Sequence, residues 1–502
     1  MTENKFSKSI NRMSPKTRRL FNTAFILIVI MLFIGINILS MFLVKKYPNL
    51  EKDWTSSNTY TLRDATKEYL TYMKKDVNIK VLLEEDAVES VDADFGYQVN
   101  KLLREVSTYS KVDVENLDLI ATSVMTMQNQ YPDIDWTVSG NYLVVEDKET
   151  GRYKGVGIYD VFYGGYDSNN EVVIYGQQFE QALLSAIQYV TSDDIVTIAM
   201  STGNGEVFNE KSDYYDSYSY LPYLLQTNAY EVIGINLLTE TPSEETDVIL
   251  MTAPTTDLTS DQVDKLTDWL ENDGNYGKTF IYVPNDLVEE TPNLDIFLED
   301  WNMKLTKGYV YENDLSRIYA TGGFPSPYHV LVDYYDDTYT ENLKDATLSL
   351  IMPFIMPVEV LDEDAVKPLL VSTTMADTAP LTAQSSEDHI KSDGTAQNAA
   401  AISTKSNNDG ESSNVIYWGS SYALRDDYLP NSNMNNDTYF INLLNSITDN
   451  AERIVIEGAT LDGESIVVTS KQQVTVGVMF ILIIPVVITT IGIVVWVKRR
   501  HR

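Results

Sequence analysis

The alternation of hydrophobic and polar residues divides the middle of the chain into a helix, a buried strand and a glycine loop. Apolar residues recur at helical spacing, at Phe179, Ala182, Leu183, Ala186, Ile187 and Val190. After a polar stop at 191–194, the apolar run 195–200 predicts a strand covered on both faces of an α/β sheet. The glycine loop, defined as Gly203, Asn204, Gly205 and Glu206, follows at the strand's carboxyl end, where open α/β sheets form ligand crevices. This loop is therefore the first candidate ligand site, and the alternative is a tight turn without a ligand.

The periodicity on either side of this stretch predicts two α/β units. The first, 76–165, is a small domain with predicted strands and one helix at 77–83, 95–109, 112–119, 141–146 and 153–159. The second, 166–473, continues with helices and strands at 220–227, 231–237, 247–251, 260–271, 280–283, 415–420 and 435–448. This succession predicts a mostly parallel sheet with helices on its faces. The segment 376–413, polar and with little periodicity, is expected to be a long mobile loop.

Two uncharged apolar stretches, 20–44 and 474–497, each exceed the roughly 20 residues that cross a bilayer as a helix. Basic residues cluster before the first stretch and after the second, so the positive-inside rule predicts cytoplasmic tails at 1–19 and 498–502. Residues 45–473 then lie outside the cell, beginning with a membrane-proximal stalk at 45–75. The expected location is the plasma membrane.

Three residues within these predicted spans suggest contact with other membrane helices. Asn22 and Asn37 in the first span are polar groups that gain from an interhelical partner. Pro485, near the middle of the second span, predicts a kink that neighbouring groups relieve. We therefore take these three as the predicted partner contacts.

Composition excludes several classes of site in this chain of 502 residues. Because the chain has no cysteine, it has no disulfide, thiolate metal site or cysteine nucleophile. The net charge of −36 argues against a nucleic-acid partner, since no basic face of useful size could form. Only His329 and His389 lie between the predicted spans, and two distant histidines cannot carry a zinc site.

Other motifs imitate functional loops without meeting their requirements. The motif 277–279 (GKT) lacks the earlier glycine of a phosphate loop, because residue 272 is Asn, and it leads into a predicted strand. The motif 419–423 (GSSYA) lacks the closing glycine of a nucleophile elbow. The acidic runs 333–337 and 362–364 lack the alternating ligands of a calcium loop. We therefore expect no catalytic residue, no metal and no cofactor.

Tyrosine is abundant, at 33 residues, and forms two clusters on the predicted exterior. The clusters are Tyr214, Tyr215, Tyr218, Tyr220 and Tyr223, and then Tyr334, Tyr335 and Tyr339. Flat rings with few rotatable bonds can stack on sugars or anchor a protein partner. The alternative is that these are the ordinary core and surface tyrosines of a long α/β domain.

Several short segments occur together in an order that resembles one family. They are 53–55 (DWT), 60–62 (YTL), 179–187 (FEQALLSAI), 203–206 (GNGE), 252–258 (TAPTTDL), 368–370 (PLL), 419–421 (GSS) and 496–500 (WVKRR). With the two terminal apolar stretches, the chain resembles the Gldg-type auxiliary proteins of ABC transport systems, first associated with gliding motility. The resemblance implies a Rossmannoid, glutamine-amidotransferase-like α/β ectodomain between two transmembrane helices, without that fold's catalytic cysteine.

The resemblance also implies partners, namely an ABC-2-type permease and a separate ABC ATPase. The glycine loop departs from the family's G-H-G-E, because Asn204 stands in place of the histidine. This substitution removes the titratable imidazole from the loop and makes an acid–base role there less expected.

These observations lead to three hypotheses. The first is a non-catalytic, membrane-anchored auxiliary subunit of an ABC-2-type export system, whose exterior domain binds substrate, wall material or another subunit. The second is a free-standing cell-surface module that binds carbohydrate or peptide, motivated by the tyrosine clusters and the glycine loop. The third, an extracellular hydrolase, rests only on the α/β fold and would require Glu206 as a catalytic group.

Overall fold

The computed structural model describes most of residues 60–448, residues 459–460, and a few positions between 23 and 35. Within 60–448 the described part has gaps at 118–123, 133, 135, 137–139, 167–171, 209–216, 286–289, 322–323, 341–342, 344–347 and 432.

The first domain is a small sheet with helices packed on both of its faces. Its elements are α1 (Asp64–Tyr72), β1 (Val77–Val81), α2 (Glu85–Glu89), α3 (Ala93–Val106), β2 (Val112–Asn116), α4 (Val124–Gln130), β3 (Asn141–Asp147), β4 (Tyr153–Gly157), α5 (Ile158–Val161), β5 (Phe162–Tyr166), β6 (Val172–Gln177) and α6 (Phe179–Thr191). The sheet has the order β2-β1-β3-β4, with β2 parallel to β1 and β3 antiparallel to it. Strands β5 and β6 pair antiparallel beside it.

Helix α6 closes the core of this first domain. Phe179, Leu183 and Ile187 on its apolar stripe are buried in one cluster with Val77 and Ile79 of β1. The predicted boundary at 165/166 assigns this helix to the second unit, whereas its apolar face packs in the core of the first. Helical spacing shows that a helix has an apolar face, but it does not show which sheet that face covers.

The large domain contains all later elements. They are β7 (Thr197–Thr202), α7 (Tyr220–Gln226), β8 (Glu231–Asn236), β9 (Val248–Thr252), α8 (Ser260–Glu271), β10 (Thr279–Val283), α9 (Pro292–Asp300), β11 (Met303–Leu305), β12 (Gly308–Tyr311), β13 (Ile318–Thr321), β14 (Phe324–Tyr334), β15 (Leu350–Pro353), β16 (Val358–Val360), β17 (Val366–Val371), β18 (Asp377–Pro380), β19 (Asn398–Ser406), β20 (Ser412–Trp418) and α10 (Asn436–Ile447). A further strand, β21 (Ala459–Thr460), pairs with β6 of the first domain.

The main sheet of the large domain is mixed, so the prediction of a mostly parallel Rossmannoid sheet is wrong. It has 12 strands, with the central order β13-β14-β17-β19-β20-β10-β9-β7-β8. Strands β8, β7, β9, β10 and β20 are parallel, whereas β19, β17, β14 and β13 continue the sheet antiparallel. Parallel strands need a long crossover, usually a helix, while antiparallel strands can be joined by short turns. Among the described residues from β13 to β20 no α-helix separates the strands, in keeping with the antiparallel pairing of this half.

Helices cover both faces of the parallel half. Leu250 of β9 packs in one core with α7 and α10, while its neighbour Ile249 packs in a second core with α8 and α9. This alternation follows from the strand geometry, in which successive side chains point to opposite faces.

The segment 376–413 is largely β-structure, so the predicted long loop is wrong. It contains β18, β19 and the beginning of β20, and Ala399, Ala400 and Ala401 of β19 are fully buried. Ala400 lies opposite Trp418 in the sheet, and both side chains are buried in the same hydrophobic core. The composition of this segment therefore does not reveal that its central strand, β19, is part of the hydrophobic core.

No helix among the described residues is both long and apolar enough to span a bilayer. Helices α3 and α6 have 14 and 13 residues, against the roughly 20 required. This finding corrects the prediction of an α/β domain between two transmembrane helices, and with it the inferred plasma-membrane location. The predicted spans at 20–44 and 474–497 fall almost entirely outside the described residues, as do Asn22, Asn37 and Pro485.

Candidate functional site

The glycine loop lies at the carboxyl end of β7, where the sequence places it. Its two glycines are required by the backbone: Gly203 has φ +119° and Gly205 has φ +77°. A Cβ at Gly205 would collide with the hydroxyl of Thr255, and one at Gly203 would collide with the side-chain oxygen of Asn236. The loop therefore turns sharply while packed against two neighbouring segments, which L-residues with side chains resist.

Asn204 ties the loop to the segment that precedes and begins α8. Its carbonyl oxygen accepts hydrogen bonds from the amide of Thr255 at 2.8 Å and from its hydroxyl at 3.1 Å. Its side-chain amide donates to the carbonyl of Asp257 at 3.0 Å and accepts from the amide of Gln262 at 2.6 Å. Because Asn204 and Gln262 are both buried, these bonds satisfy polar groups that water does not reach.

Glu206 is fully buried beneath the loop. Its two carboxylate oxygens accept hydrogen bonds from the Ser201 hydroxyl at 2.8 Å and from the Asn204 amide at 2.7 Å. Burial raises the pKa of Glu206, and the hydrogen bonds from its own backbone, Ser201 and Asn204 partly oppose that rise. The carboxylate of Glu206 thus stabilises the turn by joining the backbone of the loop to β7.

The four predicted loop residues are therefore brought together, but as an internal hydrogen-bond network. Ser201 and Glu206 are both 0% exposed, so this hydroxyl–carboxylate pair has no surface at which a substrate could reach it. Within the described ranges, no group of three or more histidine, aspartate or glutamate side chains has an arrangement that could hold a metal ion. The geometry favours the alternative interpretation, a tight structural turn.

The two motifs that imitated functional loops are also structural. Residue Lys278 is buried at the start of β10, where its ammonium donates to the carbonyl of Glu244 at 2.6 Å. Ser420 is buried, and its hydroxyl donates to the carbonyl of Pro353. Neither side chain is presented to a phosphate or an acyl group.

The predicted tyrosine clusters contribute to the core. Tyr218 is buried in the hydrophobic core that α7 covers. Tyr334 stacks on Tyr439 of α10 with ring centroids 5.3 Å apart, and Tyr339 meets Tyr439 edge to face at 6.4 Å. Tyr214 and Tyr215 lie outside the described residues.

A different group of aromatic rings lies half-buried on the antiparallel half of the large domain. This aromatic surface consists of Tyr309, Tyr311, Tyr328, His329, Phe354, Tyr422 and Tyr428. Successive rings contact one another, from Tyr311–Tyr328 at 5.4 Å to Phe354–Tyr422 at 5.0 Å between centroids. The sequence does not predict this surface, because its members come from four separate segments. The only signal was the alternation of aromatic residues at 309 and 311.

Comparisons with known proteins give little beyond the first domain. A family model described as a domain of unknown function, DUF7088, matches residues 56–154. A comparison with curated proteins finds no match.

Several solved structures align with the chain, among them the following three. A chain described as "mmIFT52 N-terminal domain" has 14% identity and a TM-score of 0.38, and the alignment covers 50% of this chain and 97% of that one. A ThuA-like protein from Bacteroides uniformis has 13% identity and a TM-score of 0.32, with 51% and 93% covered. An exo-β-1,4-mannosidase from an Opitutaceae bacterium has 10% identity and a TM-score of 0.24, with 73% and 50% covered. All three TM-scores are too low to support an argument about fold or function.

Proposed function

We propose that the protein is a non-catalytic auxiliary subunit of a transport system, acting with an ABC-2-type permease and a separate ABC ATPase. The partners are those implied by the resemblance of the chain's ordered segments to Gldg-type proteins. The proposal concerns the two folded domains and includes neither a transmembrane helix nor a cellular location.

One observation carries the non-catalytic part of the proposal, namely the burial of Glu206. A general acid or base must come within hydrogen-bond reach of the atom that it protonates or deprotonates. Glu206 is 0% exposed, and both of its oxygens already accept hydrogen bonds from the loop and from β7. Its role is therefore to hold the glycine loop in shape, and the energy for transport would come from another chain.

Co-purification tests the proposed assembly. The tagged full-length protein is extracted from its native cells in mild detergent, and the bound chains are identified by mass spectrometry. We expect a multi-span permease and an ABC ATPase, both recovered again when the ATPase carries the tag. Recovery of the protein alone, under conditions that keep other transport complexes intact, would contradict the proposed assembly.

A matched variant tests the non-catalytic role separately. Glu206→Gln removes the acid but keeps the shape of the side chain, so the ATPase rate of the assembled complex should stay within about twofold of the parent. Hydrolysis of ATP by the purified protein alone would overturn the proposal. Loss of some other hydrolytic activity on replacing Glu206 would instead support the hydrolase hypothesis.

The second candidate function is a binding module for carbohydrate or peptide. Of the tyrosine clusters that first suggested it, Tyr218 and Tyr334 are occupied in core packing, whereas Tyr335 is exposed. The aromatic surface now favours it, because its rings are only half-buried. The two functions are compatible, since an auxiliary subunit can itself bind the transported material.

A further inference from the structure

We propose that the aromatic surface is a binding site for a neutral saccharide. This inference does not depend on the proposed transport role, because it rests only on the arrangement of side chains on the antiparallel half of the large domain.

The rings of the aromatic surface form one continuous patch. Phe354 lies at its centre, with ring centroids 5.8 Å from Tyr328, 5.7 Å from Tyr309 and 5.0 Å from Tyr422. His329 extends the patch from Phe354 to Tyr428, at 5.5 Å and 6.0 Å. Aromatic contacts at these separations are favourable, so the rings support one another in fixed positions. A fixed platform of this kind loses little conformational freedom when a ligand binds.

Four of these rings lie outside the hydrophobic cores of the large domain, while Tyr309 packs against the core that α8 and α9 cover. Each of the seven residues has an intermediate exposure, and Tyr328, Phe354, Tyr422 and Tyr428 belong to none of the hydrophobic cores described above. Phe354 is also held at φ +52°, a left-handed conformation that is unusual for a bulky residue. Its amide donates to the carbonyl of Tyr328 at 2.8 Å, and its ring stacks on that of Tyr328 at an interplanar angle of 12°.

Polar groups with unused hydrogen-bonding capacity lie at two edges of the patch. The guanidinium of Arg425 lies 5.4 Å from the Tyr422 ring and donates to Asp427 at 3.0 Å, while its Nε is buried without a partner among the described residues. At the other edge, the ring of His389 lies 4.6 Å from that of Tyr311, and its buried Nδ1 likewise has no partner in the described part. Buried polar atoms normally have partners, so these two nitrogens are donors or acceptors that the described residues leave unsatisfied beside the patch. The groups that a ligand hydroxyl can reach directly are the partly exposed hydroxyls of the tyrosines and the partly exposed guanidinium of Arg425.

Charge and ring geometry together select a neutral sugar among ligands that stack on aromatic rings. The net charge of −36 disfavours polyanions, including nucleic acids. Arg425 over the Tyr422 ring disfavours a quaternary ammonium group, because it already places a cation at the face where that group would bind. Neighbouring rings cross steeply, at 83° for Tyr311–Tyr328 and 75° for Tyr309–Tyr328, which closes the parallel slots that a proline-rich peptide needs. A sugar ring needs only a flat aromatic face and hydrogen-bonding groups beside it.

Affinity electrophoresis of the full-length protein in gels containing laminarin, mannan or xylan tests this proposal. The binding constant of the retarding polysaccharide is then measured by calorimetry. We expect at least one neutral polysaccharide to retard the protein, and Tyr328→Ala and Tyr422→Ala to weaken binding by about tenfold or more. Tyr422→Phe keeps the ring and should bind within about threefold of the parent. Tyr335→Ala is the matched control, because Tyr335 is a 54% exposed tyrosine just beyond β14 and outside the aromatic surface.

Three outcomes would overturn the proposal. The first is that none of the three polysaccharides retards the protein. The second is that Tyr335→Ala weakens binding as much as Tyr422→Ala does. The third is that polygalacturonate, phosphocholine or a proline-rich decapeptide binds at the aromatic surface while the neutral polysaccharides do not. If Tyr328→Ala lowers Tm so far that the protein unfolds during the assay, Tyr422→Ala and Tyr428→Ala decide the matter.

Discussion

The glycine loop and the aromatic surface differ in what their side chains are already bound to. In the loop, the side chains of Asn204 and Glu206 are buried, and their hydrogen bonds are made within the protein. On the aromatic surface the rings are half-buried, and buried nitrogens of Arg425 and His389 at its edges have no partner in the described part. The loop is conspicuous in the sequence because its backbone requires glycines. The aromatic surface is inconspicuous there, although it has the greater unused capacity to bind.

The two regions should therefore respond in opposite ways to substitution. Changes in the loop should lower the free energy of unfolding, since every group there stabilises a neighbour. Changes at the edge of the aromatic surface, such as those at Tyr422, should affect binding more than stability.

The largest expected loss of stability follows from Gly205→Ala. The residue has φ +77°, and the new methyl group would collide with the hydroxyl of Thr255. A left-handed L-residue and an overpacked contact together should lower the free energy of unfolding by about 4 kcal/mol. Urea unfolding followed by tryptophan fluorescence measures this, because Trp269, Trp301 and Trp418 are buried in the large domain.

Gly274→Ala is the control that measures the cost of the left-handed backbone conformation without a steric collision. Gly274 has φ +87°, but a Cβ there would meet no atom within 4 Å. The substitution should therefore cost only about 1 kcal/mol. Equal losses in the two variants would show that the close approach to Thr255 contributes nothing, and that the loop is not tightly packed.

The next effect concerns Glu206. Glu206→Ala leaves the Ser201 hydroxyl and the Asn204 amide buried without their acceptor, which should lower the free energy of unfolding by about 2 kcal/mol. The loss is limited because the substitution also removes a carboxylate that burial disfavours. Urea unfolding at pH 7.5 compares this variant with the parent.

The same residue predicts a dependence of stability on pH. Burial raises the pKa of Glu206 in the folded protein above its ordinary value of 4.5. Between the unfolded and the folded pKa, the folded protein binds more protons than the unfolded chain, so the contribution of Glu206 falls as pH rises. Glu206→Gln cannot titrate, so the stability of the parent relative to this variant should decrease as pH rises from about 4, near the unfolded pKa. A difference that stays constant from about pH 3.5 to pH 8 would contradict the raised pKa.

A third, smaller effect is the coupling between Asn204 and Gln262. Their side chains exchange hydrogen bonds at 2.6 Å and 3.3 Å between β7 and α8. A double-mutant cycle with Asn204→Ala and Gln262→Ala should give a coupling free energy of about 1 kcal/mol. Zero coupling would mean that each side chain acts only through its other partners, Asp257 for the first and Thr259 for the second.

The predicted elements of the parallel half are correct because each leaves its own local signal. The apolar run before Gly203 becomes β7, and the 3.6-residue spacing from Ser260 to Glu271 becomes α8. A strand that is buried on both faces gives a continuous apolar run, and a helix that is buried on one side gives an apolar stripe. Both patterns can be recognised from residues that are close together in the sequence. The glycine loop was located for the same reason.

The remaining features depend on contacts between segments that are distant in the sequence, and a local pattern of residues does not predict such contacts. Ala399–Ala401 are core residues only because Trp418 and Tyr417 lie opposite, so the sequence alone predicted a loop. Helix α6 has a clear apolar stripe, but the sheet that it covers is fixed by β3 and β4. The aromatic surface combines residues from 309 to 428, which only the antiparallel half of the sheet brings together.

The smallest expected effect is also the sharpest test of the contrast between the two regions. Tyr422 is half-buried, and its ring contacts Phe354 and Arg425 without belonging to a hydrophobic core described here. Tyr422→Ala should therefore lower the free energy of unfolding by less than about 1 kcal/mol, since a partly exposed ring contributes little transfer free energy. Tyr422→Phe, which keeps the ring, should change it by under about 0.5 kcal/mol. Urea unfolding of both variants, beside Gly205→Ala, measures the difference. A loss of 3 kcal/mol or more, the range of a buried aromatic ring, would mean that this ring is part of the core and that the surface is not available to a ligand.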